Sequence, residues 1–321
     1  MTTPLDLARS TPTAAISTLP RQLRTGSPFS EHEQPELLRA LRRRLLTDRI
    51  ATIGIWSCVG LALIPLLLVI GLLVVRGSQA FSIEFFTQMP RLTSTAGGGV
   101  ANAIAGSGLL VGIASLIGLP IGLAAGLHLA THPRTLLSRS SRYLSDVLNG
   151  VPSIVIGVCA WELVVRPTGQ FSAFAGGVAL GIMLIPLVAR STESMVALVP
   201  IELAEAALAL GYSRARTALT VVLRTALPGI LTGALVAIAR IAGETAPLLF
   251  TAFGNAFWSL NPAEPVAALP MTIYNFANSP YEAWQSLAWG GALVLLLLVG
   301  SLSLLARLVT RRQRSDVGQR G

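Results

Sequence analysis

Along most of this chain apolar residues do not alternate with polar ones. They run on for about the thickness of a membrane and then stop. Nearly unbroken apolar runs cover residues 50–75, 102–129, 148–165, 171–188, 229–251 and 287–309. A helix needs about 20 such residues to cross the hydrocarbon layer of a bilayer. A helix that is apolar all round has no face to give to water. The pattern therefore predicts six membrane-spanning helices. The third and fourth are short and carry Pro152 and Pro186, which shift or bend helix ends. The second carries glycines at 108, 112, 118, 122 and 126. Spacings of four bring small residues onto one face and let another helix come close. We read that stripe first as packing within the chain, with a subunit interface as the alternative.

The polar segments divide the chain. Residues 1–49 form an N-terminal tail. Its first 30 residues scatter Pro, Ser and Thr and are expected to be disordered. Its last part, LLRALRRRLLTDR, reads as a short amphipathic helix on the membrane surface. No charged, then apolar, then small-residue pattern follows Met1, so no cleaved leader is expected. Residues 50–310 make the membrane domain, with an organised loop at 190–228, and residues 311–321 a polar C-terminal tail.

Composition agrees with a membrane protein. The chain of 321 residues is 52% hydrophobic and 12% charged, with a mean hydropathy of +0.66. Soluble domains carry about 25% charged residues. The net charge of +9 is carried by arginine, because the sequence contains no lysine. That excludes a phosphate loop of the Gly-x-x-x-x-Gly-Lys-Ser/Thr type and a lysine Schiff base. The arginines cluster at 39–49, 134–142, 190–224 and 307–314, while the alternate connections hold only Arg76, Arg91 and Arg166. Positive charge stays on the cytoplasmic side, so both termini are expected there. This distribution orients a protein in a membrane. Anionic lipid, and not nucleic acid, is the partner it implies. Cys58 and Cys159 lie on separate apolar runs and read as small buried hydrophobes. The three histidines show no ligand spacing, and no metal site or catalytic constellation is expected.

The 190–228 loop is neither polar nor repetitive. VPIELAEAALALGYSRARTALTVVLRTALPG reads as two short helices. Pro200 suits a helix start, with Glu202 in the first turn. Leu203, Ala207 and Leu210 give one apolar face, Gly211 suits a helix end, and Ser213 suits the cap of a second helix leading into the membrane. Residues alone leave two readings open: packing on the chain's own helices, or insertion into a partner's groove.

Glu205-Ala206-Ala207, then three residues, then Gly211, resembles the EAA signature of membrane subunits of ABC importers. The runs IARIAGETAPLLFTAFGNAFWS, ALPMTIYNFANSPYEAWQSLAWGGALVLL, VPSIVIGV and GGGVANAIAGS narrow the resemblance to the PstA-type permease family of phosphate ABC importers. It covers about residues 97–309. It implies an all-α polytopic membrane protein of the type I importer kind, with six transmembrane helices and cytoplasmic coupling helices carrying Glu205, Ala206, Ala207 and Gly211. It also implies a related PstC-type permease, a pair of ATPase subunits and an external phosphate-binding protein as partners. ATP and Mg would be bound on the ATPase, with no cofactor in this chain, which is expected not to be an enzyme. Many family members have a proline about thirteen residues after the glycine. Here Arg224 stands there, and Leu227-Pro228-Gly229 suggests a later helix break.

The fifth run contains the charged stretch RIAGETAPLL. On one continuous helix Arg240 and Glu244 point about 40° apart and lie about 6 Å apart along the axis. Charges at membrane depth are costly and turn toward a cavity or each other. Arginine's planar fork matches an oxyanion, and a carboxylate nearby limits how tightly the anion is held, since conduction needs release. Pro247 cannot donate to Gly243 and should open the helix. Gly243 gives room and Thr245 offers a hydroxyl. Pro152-Ser153, with Asn149 nearby, is a second expected break. Arg240, Glu244, Thr245, Gly243, Pro247 and Ser153 are thus the candidate substrate path. The function so implied is the permease of an ATP-driven phosphate importer. A permease for molybdate or sulfate, and an ATP-independent secondary transporter, remain the alternatives.

Overall fold

The computed structural model describes residues 34–91 and 97–318. The expectation of disorder over the first 30 residues lies outside them. The chain divides into two units, residues 1–69 and 70–321.

The first described helix, α1, runs from Gln34 to Ser78 without interruption. The basic stretch before residue 50 is therefore not a separate helix: it is continuous with the helix of the first span. Between Pro35 and Gly54 the sequence has no glycine or proline to stop it. Within the first unit its large apolar side chains, Ile50, Ile53, Trp56, Leu61 and Leu67 among them, are exposed. That suits a lipid-facing span.

The second unit holds α2 (Ile83–Thr87), α3 (Ala101–Thr131), α4 (Leu136–Gly150), α5 (Ser153–Thr168), α6 (Ala173–Ala197), α7 (Ile201–Ala209), α8 (Arg214–Ile241), α9 (Ala246–Leu249), α10 (Leu269–Ala277) and α11 (Glu282–Gly318). Among the described residues, five helices are long and apolar enough to cross a membrane: the stretch of α1 from Arg44, α3, α6, α8 and the part of α11 up to Leu308. The α4–α5 pair makes a sixth if counted as one broken span, bent by 106°.

The third, fourth and fifth spans have ends that differ from those expected. The third span does not begin at residue 148. Leu148, Asn149 and Gly150 close the amphipathic α4, and the chain turns at Val151 and Pro152 before α5 starts at Ser153. Pro152 takes the position just before the helix, where its missing N–H costs nothing. The fourth span passes Pro186 and Val188 and continues to Ala197. The fifth begins at Arg214, fused to the second short helix of the 190–228 loop, and ends at Ile241. Pro228 does not break it. One backbone donor is lost and the helix continues, as neighbours in membrane bundles allow.

The core joins α3, α6, α8, α9 and α10 through Leu110, Ala114, Leu180, Leu184, Val188, Ile241, Leu248 and Met271. The α3–α6 contact is the most extensive. It depends on three stripe glycines. A Cβ at Gly118 would lie 2.9 Å from the Leu184 Cβ, one at Gly122 2.8 Å from the Val188 Cβ, and one at Gly126 2.5 Å from the Ala189 carbonyl oxygen. Gly108 and Gly112 have nothing within 4 Å. The stripe is internal packing over its last three members only. Replacing Gly126 by valine should lower membrane abundance, since overpacking costs about 1–3 kcal/mol. Gly112→Ala should leave it unchanged. Immunoblots of purified membranes compare the two.

Both cysteines are exposed on this chain and unbonded, contrary to the expected buried positions. In a membrane helix an outward apolar side chain meets hydrocarbon, so apolar character does not predict an inward position.

Candidate functional site

The fifth span ends inside the charged stretch. Gly243 and Glu244 amides bond to the carbonyls of Arg240 and Ile241, both at 3.2 Å. These three-residue steps tighten the last turn and end the helix. The chain then restarts as α9 at Ala246, with Pro247 in its first turn. The opening expected at Pro247 thus begins five residues before it. The continuous-helix geometry of Arg240 and Glu244 is not realised. Glycine lowers helix stability by about 1 kcal/mol, and proline supplies no donor to residue 243. Together they end the helix between the two charges.

Arg240 is exposed and Glu244 half-buried. Among the described residues no ion pair joins them. Both line one cavity of about 150 Å³, together with Asn149, Ser153 and the apolar side chains of Ile156, Met183 and Leu187. The two breaks foreseen at Pro152-Ser153 and at Pro247 therefore meet at a single place. Gly243, Thr245 and Pro247 do not line it. Gly243 is exposed, Thr245 is the residue just before α9, and Pro247 is buried. Their part is to shape the turn. Pro247 packs on α5: a Cβ at Gly157 would lie 2.6 Å from the Pro247 Cα.

The bend before α5 gives the cavity a second electrostatic feature. The opening amides of a helix have no acceptor inside it, and the helix dipole is positive there. The first turn of α5, with Ser153 and Ile156, lines the same cavity as Arg240. A guanidinium and a helix N-terminus together suit an oxyanion.

The sequence reading missed what holds this arrangement. By their place in the sequence Arg142 and Arg190 are orienting charges only. Arg142 Nε donates to Glu193 Oε1 at 2.6 Å, and its terminal nitrogens donate to the Pro133 and Leu129 carbonyls at 2.9 and 3.0 Å. Arg190 donates to Asp146 at 2.7 Å and to Glu193 at 3.1 Å. The network ties α4 to the end of α6, and α4 carries Asn149 to the cavity. The signal in the sequence is Asp146, the one acid between α3 and α5, and Glu193, three residues after Arg190.

The 190–228 loop folds largely as its residues suggest. Pro200 precedes α7 and Glu202 lies in its first turn. Gly211 has φ of +85°, the left-handed conformation glycine favours. Ser213 Oγ accepts the Arg216 amide at 3.3 Å. The apolar face is split, however. Ala207 is buried, while Leu203 and Leu210 are exposed, as are Ile201 and Leu208. Glu205 and Ala206 are exposed.

Residues 118–315 match the family of binding-protein-dependent transport system inner membrane components. The chain is 47% identical over 242 residues to the phosphate transport system permease protein PstA of Yersinia pestis, covering 75% of this chain and 82% of that protein. It is 38% identical over 256 residues to a probable phosphate transport system permease protein PstA of Methanocaldococcus jannaschii, covering 79% and 90%. It is 35% identical over 291 residues to PstA 1 of Mycobacterium tuberculosis, covering 88% and 94%. Its fold is similar to a chain of the inward-facing MetNI methionine ABC transporter, with a TM-score of 0.51 at 21% identity, covering 66% of this chain and 94% of that one. With its apolar helices, its sharply bent α4–α5 pair and its organised loop, the chain belongs to the family of binding-protein-dependent transport system inner membrane components.

Proposed function

We propose that this chain is the PstA-type half of the membrane channel of an ATP-driven phosphate importer. The observation that carries the proposal is the cavity joining Arg240, Glu244 and the N-terminus of α5. The names of the relatives, phosphate transport system permeases in bacteria and an archaeon, agree with it. Phosphate is held by the Arg240 guanidinium and by the opening amides and hydroxyl at Ser153. Glu244 competes for the arginine and keeps the hold weak enough for release. Arg240 lies exposed on this chain, as suits a site completed by a second, PstC-type permease.

The chain performs no chemistry in this reading. A separate ATPase pair, carrying ATP and Mg, closes and opens. α7, with exposed Ile201, Leu203 and Leu208 and with exposed Leu210 at its C-cap, seats in it. Glu205, Ala206, Ala207 and Gly211 form the joint, and α8 carries the motion to Arg240 because it runs unbroken from Arg214 to Ile241. An external binding protein delivers phosphate to the opposite face, where Phe257 and Trp258 are exposed. Both termini are cytoplasmic. The membrane domain is residues 50–310, with tails at 1–49 and 311–321.

The test is uptake of labelled phosphate into vesicles holding both permeases and the ATPase, with binding protein supplied. ATP-dependent uptake, competed by phosphate and not by sulfate or molybdate, is expected. Preferential competition by sulfate or molybdate would reassign the substrate, and uptake without the ATPase would favour a secondary transporter. Leu210→Glu, at the exposed C-cap of α7, should uncouple the system. ATPase activity in the complex should lose its stimulation by loaded binding protein, while permease abundance stays normal.

A further inference from the structure

The amphipathic helix α4 is packed inside out. Ser138 and Ser145 are buried, and Arg142 on the same side reaches Glu193 and the Leu129 carbonyl. Its apolar residues point away. Leu136, Leu137, Tyr143, Leu144 and Val147 are 42–80% exposed, and on a helix they fall within an arc of about 120°, interrupted by Ser140 alone. A helix facing water would be turned the other way.

We propose that α4 lies in the plane of the membrane interface, with this apolar face seated among the acyl chains of anionic phospholipid. Three further observations fix the occupant as lipid. The helix is bent 106° from α5, so when α5 crosses the membrane α4 runs nearly along its surface. Only four residues separate it from the end of α3 at Thr131, at the boundary of a span. Arg134 and Arg139 at its start are exposed and make no ion pair with a described residue. The buried core of a protein interface is depleted of unmatched charge, whereas headgroup phosphates meet arginines at this depth. The polar side of α4 is pinned to α6 by Arg142 and Arg190, so the bilayer and α6 hold Asn149 between them at the cavity.

The experiment places a probe on the face. Cys58 and Cys159 are replaced by serine, and Leu144→Cys is labelled with an environment-sensitive fluorophore. The assembled transporter is reconstituted in phosphatidylcholine–phosphatidylglycerol vesicles. Lipid-borne nitroxide should quench the probe strongly and aqueous iodide weakly. With Arg134→Gln and Arg139→Gln, or in vesicles without phosphatidylglycerol, iodide quenching should rise by up to about fivefold per lost arginine–lipid interaction. Strong iodide quenching in the unmodified background would overturn the proposal. So would shielding from both quenchers, or a photo-crosslink from Tyr143 to the second permease, since each puts water or protein on this face. The readout uses no phosphate, so its failure leaves the transport reading untouched.

Discussion

Replacing Arg240 by alanine should reduce phosphate uptake by about 10- to 100-fold or more, the range expected for losing hydrogen bonds to a charged group at about 1.5–3 kcal/mol. Membrane abundance should be unchanged. Arg240 is exposed on this chain and pairs with no described acid, so its removal leaves no buried charge behind. Arg240→Lys keeps the charge but loses the planar fork, and should retain part of the uptake. Glu244→Gln removes the competitor for the guanidinium. It should tighten half-saturation and slow turnover, because phosphate then leaves less readily. The double variant Arg240→Ala/Glu244→Ala should stay inactive. Full uptake by Arg240→Ala at normal abundance would remove Arg240 from the path. Recovery in the double variant would show instead that a pair between the two charges, formed in another state, is the essential interaction.

The sequence marked the two places where the membrane helices break, but not that they meet. Pro152 and Pro247 each announce a local interruption, because a missing N–H is a local property. Their convergence on one cavity depends on how α5, α6 and α8 pack, which no local pattern encodes. The same division explains the helix ends. Gly211 and Ser213 behave as expected because a left-handed turn and a capped amide are settled within a few residues. The ends of α6 and α8 were misplaced because hydropathy marks where a helix leaves the hydrocarbon, not where its hydrogen bonding stops. α6 continues nine residues beyond Val188, carrying Arg190 and Glu193 into the ion-pair network. Those arginines obey the charge bias that orients membrane proteins and also hold α4. The bias was legible by counting, whereas the partners required tertiary structure. The inward or outward choice of apolar side chains, wrong for Cys58 and Cys159, is hidden for a related reason. Lipid and protein interior are equally apolar, so the period that distinguishes core from surface in water carries little information here.

Gly157→Val should disable the transporter through structure rather than chemistry. The atoms facing Gly157 are the Cα, carbonyl oxygen and carbonyl carbon of Pro247, at 2.6, 3.1 and 3.3 Å from where a Cβ would stand. All three are backbone. No rotamer change can relieve the clash, and trimming the proline ring cannot either, so Pro247→Ala should fail to rescue. α5 and α9 must separate, and each is tied to the cavity: α5 by Ser153 in its first turn, α9 by starting two residues after Glu244. Overpacking of this kind costs about 1–3 kcal/mol where neighbours can shift, and the upper end applies where backbone must move. Uptake should fall at least about tenfold, with abundance lowered and protease sensitivity raised at the α8–α9 turn, since about 1.4 kcal/mol is a factor of ten in a local equilibrium. Gly150→Ala, at the other end of the same bend and with nothing within 4 Å, should retain near-normal uptake. If both variants behaved alike, the close approach of α5 to Pro247 would not be what sets the cavity. If Gly157→Val lost uptake with abundance and protease resistance intact, the contact would act on motion through the transport cycle and not on folding.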